Sequence, residues 1–580
     1  MLPTAARAID SGGLPERPSF RALAVDLDGT LARAGRPSEE VLTRLATVRQ
    51  QGCRLVLVTG RIIAELKRVF ADVEEQFDRI AAENGAVLAA AGHHRPLAPP
   101  VEDRVRGALA SRGAPFRRGA VILVGSARDE VCAAEEIRRL GLDHQLVRNR
   151  GELMIIPAGA SKGRGLLEAL AEIGVSRHDT LAVGDAENDL SLLRPCAVGA
   201  AVANAVESLR RQADLVLSAE NGSGVLELLD GPVFWGTQVL HPARWHVTVG
   251  RGADGKPVQI PSSRLNVLIS GPTGAGKSYV AGLLAEQLIQ AAYTVLVIDP
   301  EGDYEALRAI PGVVTLGHES LPDAERIVEM LHHRFGSVIV DLSTGEDERK
   351  ALYPIAPLLH AHRLQTGLPH WVLIDEAHDL FGAGGALLHV ADPATKGYLL
   401  VTYHPELLDN RVLADIDVEI LLPGSTAPAS LPLPEPSLLE ALAHAGHGHA
   451  LVLTKTDASL VALADRQTSH LRHWHKYIAG RLPPDKQFYF REQSGSPTGI
   501  AAGNLIELHR ELDRCAQNTV RHHAIGHDFS RWVRDVFADE ALASEMADIE
   551  AQVVDSADAA AGAEQARAAL MDAVQRHYLE

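Results

Sequence analysis

Cysteine is scarce in this chain: four in 580 residues, Cys53, Cys132, Cys196 and Cys515, far apart and without paired spacing. That excludes a disulfide framework and a cysteine-based zinc site, and it fits a reducing cytoplasm. Long apolar runs are missing too. No stretch of about 18 apolar residues, the length that crosses a bilayer, occurs, and the opening MLPTAARAIDSGGLPERP lacks the apolar run of a signal peptide. The expectation is a soluble, cytoplasmic protein with no membrane partner. Positive charge is in deficit, with 56 Lys and Arg against 75 Asp and Glu and a net charge of −19. Such a balance repels nucleic acid on average, although a local basic groove is compatible with it. Internal repeats are absent, and low-complexity sequence is confined to short Ala-rich stretches.

What is present is an ordinary globular composition, 46% hydrophobic and 23% charged, in a chain too long for one core. From Arg21, short apolar runs alternate with amphipathic stretches (RALAVDLDGTL, SEEVLTRLATVRQQG, RLVLVTGR, IIAELKRVFADVEEQ), the pattern of βαβα units on a parallel sheet. The alternation blurs over about 86–160, resumes at DTLAVGDAENDL, and a second α/β series begins near Val233. Strand signals fade after Gln467. The expected organisation is a flexible 1–18, an α/β domain over 19–230 with a small α+β insertion at about 86–160, a second α/β domain over 231–466, and a helical region over 467–580.

Ligands bind beyond the carboxyl ends of strands in open α/β sheets, and the polar motifs fall there. Asp26-Leu27-Asp28-Gly29-Thr30 places two carboxylates at the end of a buried strand, where a cation between them relieves their repulsion and an Asp can serve as nucleophile. Thr59-Gly60-Arg61 ends the next strand and offers a hydroxyl and backbone N–H groups to phosphate. Lys162 opens a helix, and Gly184-Asp185-Ala186-Glu187-Asn188-Asp189 ends a third strand. This ordered set, with Glu83-Asn84-Gly85-Ala86 and MIIPAGASKGRGL, resembles the haloacid dehalogenase superfamily of phosphatases over about 20–230. The similar branch, with its cap between the Thr and Lys motifs, includes Cof-type sugar phosphatases, sucrose-phosphate phosphatase and archaeal phosphoglycolate phosphatase. The resemblance implies a Rossmann-like fold and these roles: Asp26 as nucleophile, Asp28 as acid/base, and Thr59 and Lys162 as holders of the phosphoryl oxygens. It further implies Mg²⁺ on Asp26, the Asp28 carbonyl and Asp185, with Asn188 and Asp189 ordering that shell. A cap of about 75 residues points to a small phosphorylated metabolite. His93, His94 and His144 read as surface or core histidines.

Gly271-Pro272-Thr273-Gly274-Ala275-Gly276-Lys277-Ser278 lies between the strand VLIS and a helix beginning near Ser278-Tyr279, the context a P-loop requires. Its backbone N–H groups would cradle ATP phosphates, Lys277 would bridge β and γ, and Ser278 would ligate Mg²⁺. In WVLIDEAH, Asp375 and Glu376 fit a Walker B pair, Asp375 supporting the metal and Glu376 activating water. Two strands, ending at Asp299 and near Asp341, intervene, which puts this pair on a strand not adjacent to the P-loop strand. With VIDPEGDYEAL and LLVTYHPELLDNRVLADID, the region 233–466 resembles the HerA/FtsK-like P-loop ATPases, which implies a homo-oligomer, as a ring. Tyr403 and His404 stand where many members carry a polar sensor, and Arg411 is a candidate inter-subunit arginine or an ordinary surface one.

The tail mixes basic, aromatic and His residues. They serve either nucleic-acid stacking or a small core built on Trp474, Phe488, Phe490, Phe529 and Trp532. His522, His523, His527 and Asp528 fit no standard metal spacing. Three functions compete: a bifunctional hydrolase joining a phosphatase to an ATPase, a DNA translocase with an accessory phosphatase, and a nucleotide-gated assembly switch.

Overall fold

A computed structural model describes residues 17–33, 35–149, 151–317, 324–332, 336–343, 348–382, 395–425, 428–432, 434–468, 487–492, 494–537, 540–555 and 559–578. The first sheet takes β1 (Ala22–Val25), β2 (Arg54–Val58), β3 (Arg79–Ala82), β4 (Val87–Ala90) and β5 (His93–Pro96) from the start of the chain. A separate four-stranded sheet comes next, built of β6 (Arg117–Arg118), β7 (Leu123–Ser126), β8 (His144–Asn149) and β9 (Glu152–Pro157). The chain then returns to the first sheet with β10 (Thr180–Gly184), β11 (Val198–Ala201) and β12 (Leu215–Val216), giving the order β12-β11-β10-β1-β2-β3-β4-β5.

Strands β12 through β3 are parallel, and β1 is buried along its whole length, as a sheet covered by helices on both faces demands. The helix Glu39–Gln50 shows why these segments stop and start where they do: Ser38 accepts from the Val41 N–H at its N-terminus, and Glu39, Glu40 and Arg49 complement its dipole. β4 and β5 turn back antiparallel and extend the main sheet. The inserted cap sheet therefore starts later than the expected residue 86, because 87–96 pairs with the core rather than with the insertion.

The second large sheet contains β13 (His246–Gly252), β14 (Pro257–Pro261), β15 (Val267–Ser270), β16 (Val295–Asp299), β17 (Val313–Leu316), β18 (Ser337–Asp341), β19 (Trp371–Ile374), β20 (Tyr398–Thr402), β21 (Val418–Leu421), β22 (His449–Thr454) and β23 (Ala458–Leu463). Its order is β14-β13-β23-β22-β21-β15-β20-β19-β16-β18-β17. β20 lies between the strand before the P-loop and the strand before Asp375, so the two are not adjacent. The C-terminal region opens with a hairpin, β24 (Phe488–Arg491) and β25 (Pro497–Ala502), and continues as helices whose core includes Phe488, Phe490, Phe529 and Trp532. Trp474 lies outside the described residues. Among the described residues no helix is long and apolar enough to cross a membrane.

The two α/β domains meet at the edges where their strands begin. Arg177 Nη2 donates to the Ala291 carbonyl at 2.6 Å, and the His178 ring stacks on Tyr293 at 3.6 Å between centroids. His370 Nε2 lies 2.8 Å from Ser176 Oγ, Arg264 donates to the Ser19 carbonyl at 3.1 Å, and Trp245 Nε1 donates to the Cys196 carbonyl at 2.9 Å. Each partner precedes a strand: Ser19 before β1, Ser176–His178 before β10, Cys196 before β11, Arg264 before β15, Tyr293 before β16 and His370 before β19. The opposite, carboxyl ends of both sheets point away from this contact.

Candidate active sites

Strands β1 and β10 are neighbours, so their carboxyl ends bring Asp26 and Asp185 together, and the loop after β10 turns Asp189 back toward them. Asp26, Asp185 and Asp189 are all buried, and an oxygen from each falls within 4.8 Å of the others. Lys162, 1% exposed at the start of the helix Lys162–Glu172, donates to Asp26 Oδ1 and to Asp189 Oδ1, both at 2.6 Å. Burial depresses the Lys162 ammonium, but the carboxylates of Asp189 and Asp26 outweigh it and the net shift is upward. Burial is the main cause holding the Asp26 carboxyl up at about 8, opposed by Lys162 and reinforced by Asp189 and Asp185. Three carboxylates sharing one ammonium leave a net negative, oxygen-only donor set in low dielectric, which suits a hard divalent cation. Asn188 Oδ1, buried beside them without a hydrogen-bond partner, adds an acceptor.

Asp189 also orders the loop around the cluster. Its Oδ2 accepts from the Asp185 and Ala186 N–H groups at 3.0 and 2.9 Å while Oδ1 takes Lys162, so it fixes both the loop and the lysine. Thr30 Oγ1 donates to Asp185 Oδ1 at 3.1 Å. Asn188 Nδ2 donates to Asn84 Oδ1 at 3.2 Å. Thr59 is buried, and its Oγ1 accepts from the Arg61 N–H.

Asp28 stands apart from this cluster. Its carboxylate is gripped by Arg61, with Nε to Oδ2 and Nη2 to Oδ1 both at 2.6 Å. The cap closes over the same loop: a Cβ added at Gly60 would lie 3.4 Å from Met154 Sδ and 3.5 Å from Asn149 Nδ2. Cap residue Arg117 bonds Glu65 of the core at 3.0 Å and also Glu152. Behind them Glu83, fully buried at a left-handed backbone position (φ 54°), accepts from the cap N–H groups of Ala120, Val121 and Ile122 at 2.8, 2.8 and 3.1 Å.

In the second domain, Gly274 and Gly276 take φ of 81° and 100°, letting the loop after β15 wrap before the helix Lys277–Gln290 begins. Pro272, Thr273 and Gly274 are exposed, Gly271 and Ala275 are buried, and Lys277 Nζ donates to the Pro272 carbonyl at 3.2 Å. Ser278 Oγ donates to Asp303 Oδ2 at 2.7 Å. Asp303 is held by Asp299, whose Oδ1 accepts from the N–H groups of Gly302 and Asp303 and whose Oδ2 accepts from that of Tyr304; the Tyr304 hydroxyl donates to Asp375 Oδ2 at 3.0 Å. Burial, then Asp303 and Glu301, push the Asp375 carboxyl up to about 7. Burial lowers Lys277 against the pull of Glu376, Asp375, Glu301 and Asp303. Glu376 sits at φ 47°, its Oε2 3.6 Å from His378 Nδ1, which in turn lies 3.0 Å from Thr402 Oγ1. The Tyr403 ring faces Lys277 Nζ at 5.8 Å.

Residues 23–97 and 128–229 match the family model for haloacid dehalogenase-like hydrolases. Over 224 residues the chain is 30% identical to a phosphoglycolate phosphatase of Methanothermobacter thermautotrophicus, covering 37% of this chain and all of that protein. The N-terminal part of the chain belongs to the haloacid dehalogenase-like hydrolases. A phosphoglycolate phosphatase of Archaeoglobus fulgidus is 30% identical over 217 residues (36% of this chain, 95% of that protein), and one of Halobacterium salinarum is 31% identical over 224 (36% and 95%). Residues 249–330 match the central domain of the helicase HerA, so the haloacid dehalogenase-like domain is fused to a HerA-like P-loop domain.

Around the haloacid dehalogenase motifs, sequence reasoning misses the Arg61 grip on Asp28 and the Glu83 anchor, although both residues sit in stretches it singles out. It also reads VIDPEGDYEAL only as a likeness, without seeing that Asp303 meets Ser278. Tyr279 turns its hydroxyl to the Ala464 carbonyl and the Arg466 N–H. Arg411 folds onto its own Asp409, as a surface arginine does. His94 pairs with Glu74 and His144 with Glu102. Two of the tail histidines are held by structural bonds: His523 bonds Asp528 and the Arg491 N–H, and His527 bonds Glu550.

Proposed function

We propose that the N-terminal domain is a Mg²⁺-dependent phosphatase of a small phosphate monoester and that the P-loop domain hydrolyses ATP. The observation that carries the first half is Lys162 clasped between Asp26 and Asp189 beside Asp185, because it sets a nucleophile, a counter-charge for phosphoryl oxygens and a cation-binding carboxylate within one buried pocket. Asp26 attacks phosphorus, the bond to the ester oxygen breaks, and Asp28 gives that oxygen its proton. Asp28 then takes a proton from water, which attacks the aspartyl-phosphate and releases phosphate and free Asp26. Lys162 and Thr59 hold the phosphoryl oxygens throughout. A Mg²⁺ ion on Asp26, Asp185 and the Asp28 carbonyl would neutralise phosphoryl charge. The relatives named phosphoglycolate phosphatase suggest the ester of a small hydroxy acid.

In the second half, Lys277 meets the β- and γ-phosphates, Ser278 and Asp375 would hold the nucleotide's metal, and Glu376 activates water. Its neighbour His378 sets Nδ1 3.0 Å from Thr402 Oγ1, on the strand lying between the two motif strands. The match to the helicase HerA central domain favours a second reading, assembly of copies into a ring that moves on DNA. The purified chain is assayed with Mg²⁺ for phosphate release from small esters, against Asp26→Asn, and from ATP with and without DNA, against Lys277→Ala. Absence of any Asp26-dependent ester hydrolysis removes the phosphatase reading. ATP turnover that survives Lys277→Ala removes the ATPase reading, and a several-fold rise with DNA selects the motor.

A further inference from the structure

We infer that the segment 464–468, which leaves β23, is a strap that positions the P-loop, with Arg466 its key residue, and that strap and bound nucleotide stabilise one another. This rests on the reading that the P-loop domain binds ATP. The helix Lys277–Gln290 begins with the two residues that would meet the phosphates and their metal. The next residue, Tyr279, holds the strap: its hydroxyl donates to the Ala464 carbonyl at 3.0 Å and accepts from the Arg466 N–H at 3.2 Å. One turn on, the Arg466 guanidinium crosses Gly282 so closely that a Cβ there would lie 2.3 Å from its Nη1. A further turn on, the buried Glu286 carboxylate accepts from the Gln467 and Thr468 N–H groups at 2.8 and 3.0 Å and from Thr468 Oγ1 at 2.7 Å. Positions 279, 282 and 286 share one face of a helix.

Arg466 ties these holds together. Its side chain is 2% exposed, its Nη2 donates to Thr468 Oγ1 at 2.9 Å, and Glu286 leads the groups that offset the burial of its charge. A forked side chain that must both cross the helix at Gly282 and reach Thr468 has one place to lie, so it fixes the register of strap on helix. The strap and the phosphates therefore act on the same turn of the same helix. Lys277 Nζ donates to the Pro272 carbonyl at 3.2 Å, a bond that phosphate oxygens would replace. A tilt that carries Lys277 and Ser278 off the phosphates swings Tyr279 and pulls on Ala464 and Arg466, and a strap that lets go frees that turn to fray. Ordering by either one lowers the entropy the other must remove, and such coupling is reciprocal. ATP in the P-loop would thus set how firmly the chain is held where it leaves the second sheet for the C-terminal region.

The test uses the full chain with Mg²⁺ and AMP-PNP, an ATP analogue that resists hydrolysis. Hydrogen exchange read by mass spectrometry follows the Gln467 and Thr468 amides, and calorimetry gives the Kd, for wild type, Gly282→Ala and Arg466→Met. In wild type, saturating analogue is expected to slow both amides at least fivefold. Gly282→Ala favours the helix and drives the guanidinium out, while Arg466→Met removes it without touching the helix. In each variant the two amides are expected to approach the rate of an unfolded peptide, at least tenfold faster than wild type, and the Kd to rise at least fivefold. Wild-type amides that change less than twofold while the analogue binds overturn the inference, because a strap that serves only the fold would behave so. That arm needs no variant, so it stands even where a substitution prevents folding. Acceleration under tenfold in both variants also overturns it, as does a Kd within twofold of wild type once the strap amides are free. If the analogue does not bind wild type, or binds Lys277→Ala equally well, the nucleotide reading falls and this inference with it.

Discussion

Glu83→Gln tests whether the cap is pinned rather than hinged. The Glu83 carboxylate is wholly buried and accepts three cap N–H bonds, one on Oε1 from Ala120 and two on Oε2 from Val121 and Ile122. Glutamine keeps the shape and one oxygen. If that oxygen stays with Val121 and Ile122, the new amide NH₂ meets the Ala120 N–H donor to donor. Ala120 lies at the surface, where water can take its N–H, so this loss is at the low end, about 1 kcal/mol. The two remaining bonds lose their charge assistance, about 1 kcal/mol each. The sum, about 3 kcal/mol, raises the opening equilibrium of the cap by roughly a hundredfold. Hydrogen exchange read by mass spectrometry measures it directly: amide exchange of Val121 and Ile122 should accelerate about a hundredfold while that of β2 stays unchanged. Acceleration under about tenfold, or equal acceleration in β2, would show that Glu83 does not clamp the cap. Gly119→Ala should act in the same direction, because its Cβ would lie 2.6 Å from Glu83 Oε2.

Three further perturbations probe the buried carboxyl, the P-loop and the domain contact. Asp26 is raised by burial from 3.8 to about 8, so in metal-free protein its contribution to stability is complete below about pH 4 and is lost as pH rises through about 8. Melting temperature in EDTA should therefore fall over that window, protection by Mg²⁺ should grow across it, and Asp26→Asn should flatten both trends; an unchanged profile in the variant refutes the assignment. Asp303→Asn should weaken Mg²⁺-dependent nucleotide binding, measured calorimetrically, by about tenfold through the Ser278 hydroxyl, and binding equal to wild type argues against it. Tyr293→Ala removes a buried ring stacked on His178 and should cost about 3–5 kcal/mol. By calorimetry it should split a joint unfolding of the two α/β domains into separate transitions, and a single, unshifted transition speaks against the interface.

What can be read from the sequence divides along a physical line. Asp26, Thr59, Asp185 and Asp375 each come after an apolar run short enough to be a buried strand, so local pattern alone puts them at strand ends, and the glycine spacing of the P-loop puts Ser278 at the start of the next helix. Their grouping follows from parallel topology. The Arg61 grip on Asp28 carries no such signal, because it depends on two loops approaching across 33 residues of separation. Glu83 sits inside a recognisable motif, but its partners lie 37–39 residues away in the cap, where no periodicity points back to it. The strands at 87–96 read as part of the insertion because antiparallel pairing of short Ala-rich segments looks the same whichever sheet they join. The domain contact at His178, Tyr293 and His370 is equally silent, since buried histidines and a tyrosine ahead of strands read as loop residues.

That contact decides how the two chemistries can relate. With the sheets joined at the edges where their strands start, the mouths of the two pockets look in opposite directions. A molecule leaving one has to diffuse around the body of the protein to reach the other, so the fusion brings no handover of product. What it does supply is a common base. The strands that carry Asp26 and Asp185 begin on the same packed layer of His178, Tyr293, Arg264 and His370 from which the strands carrying Asp299 and Asp375 run the other way. Any coupling between the two sites would run through that layer as a displacement of strands.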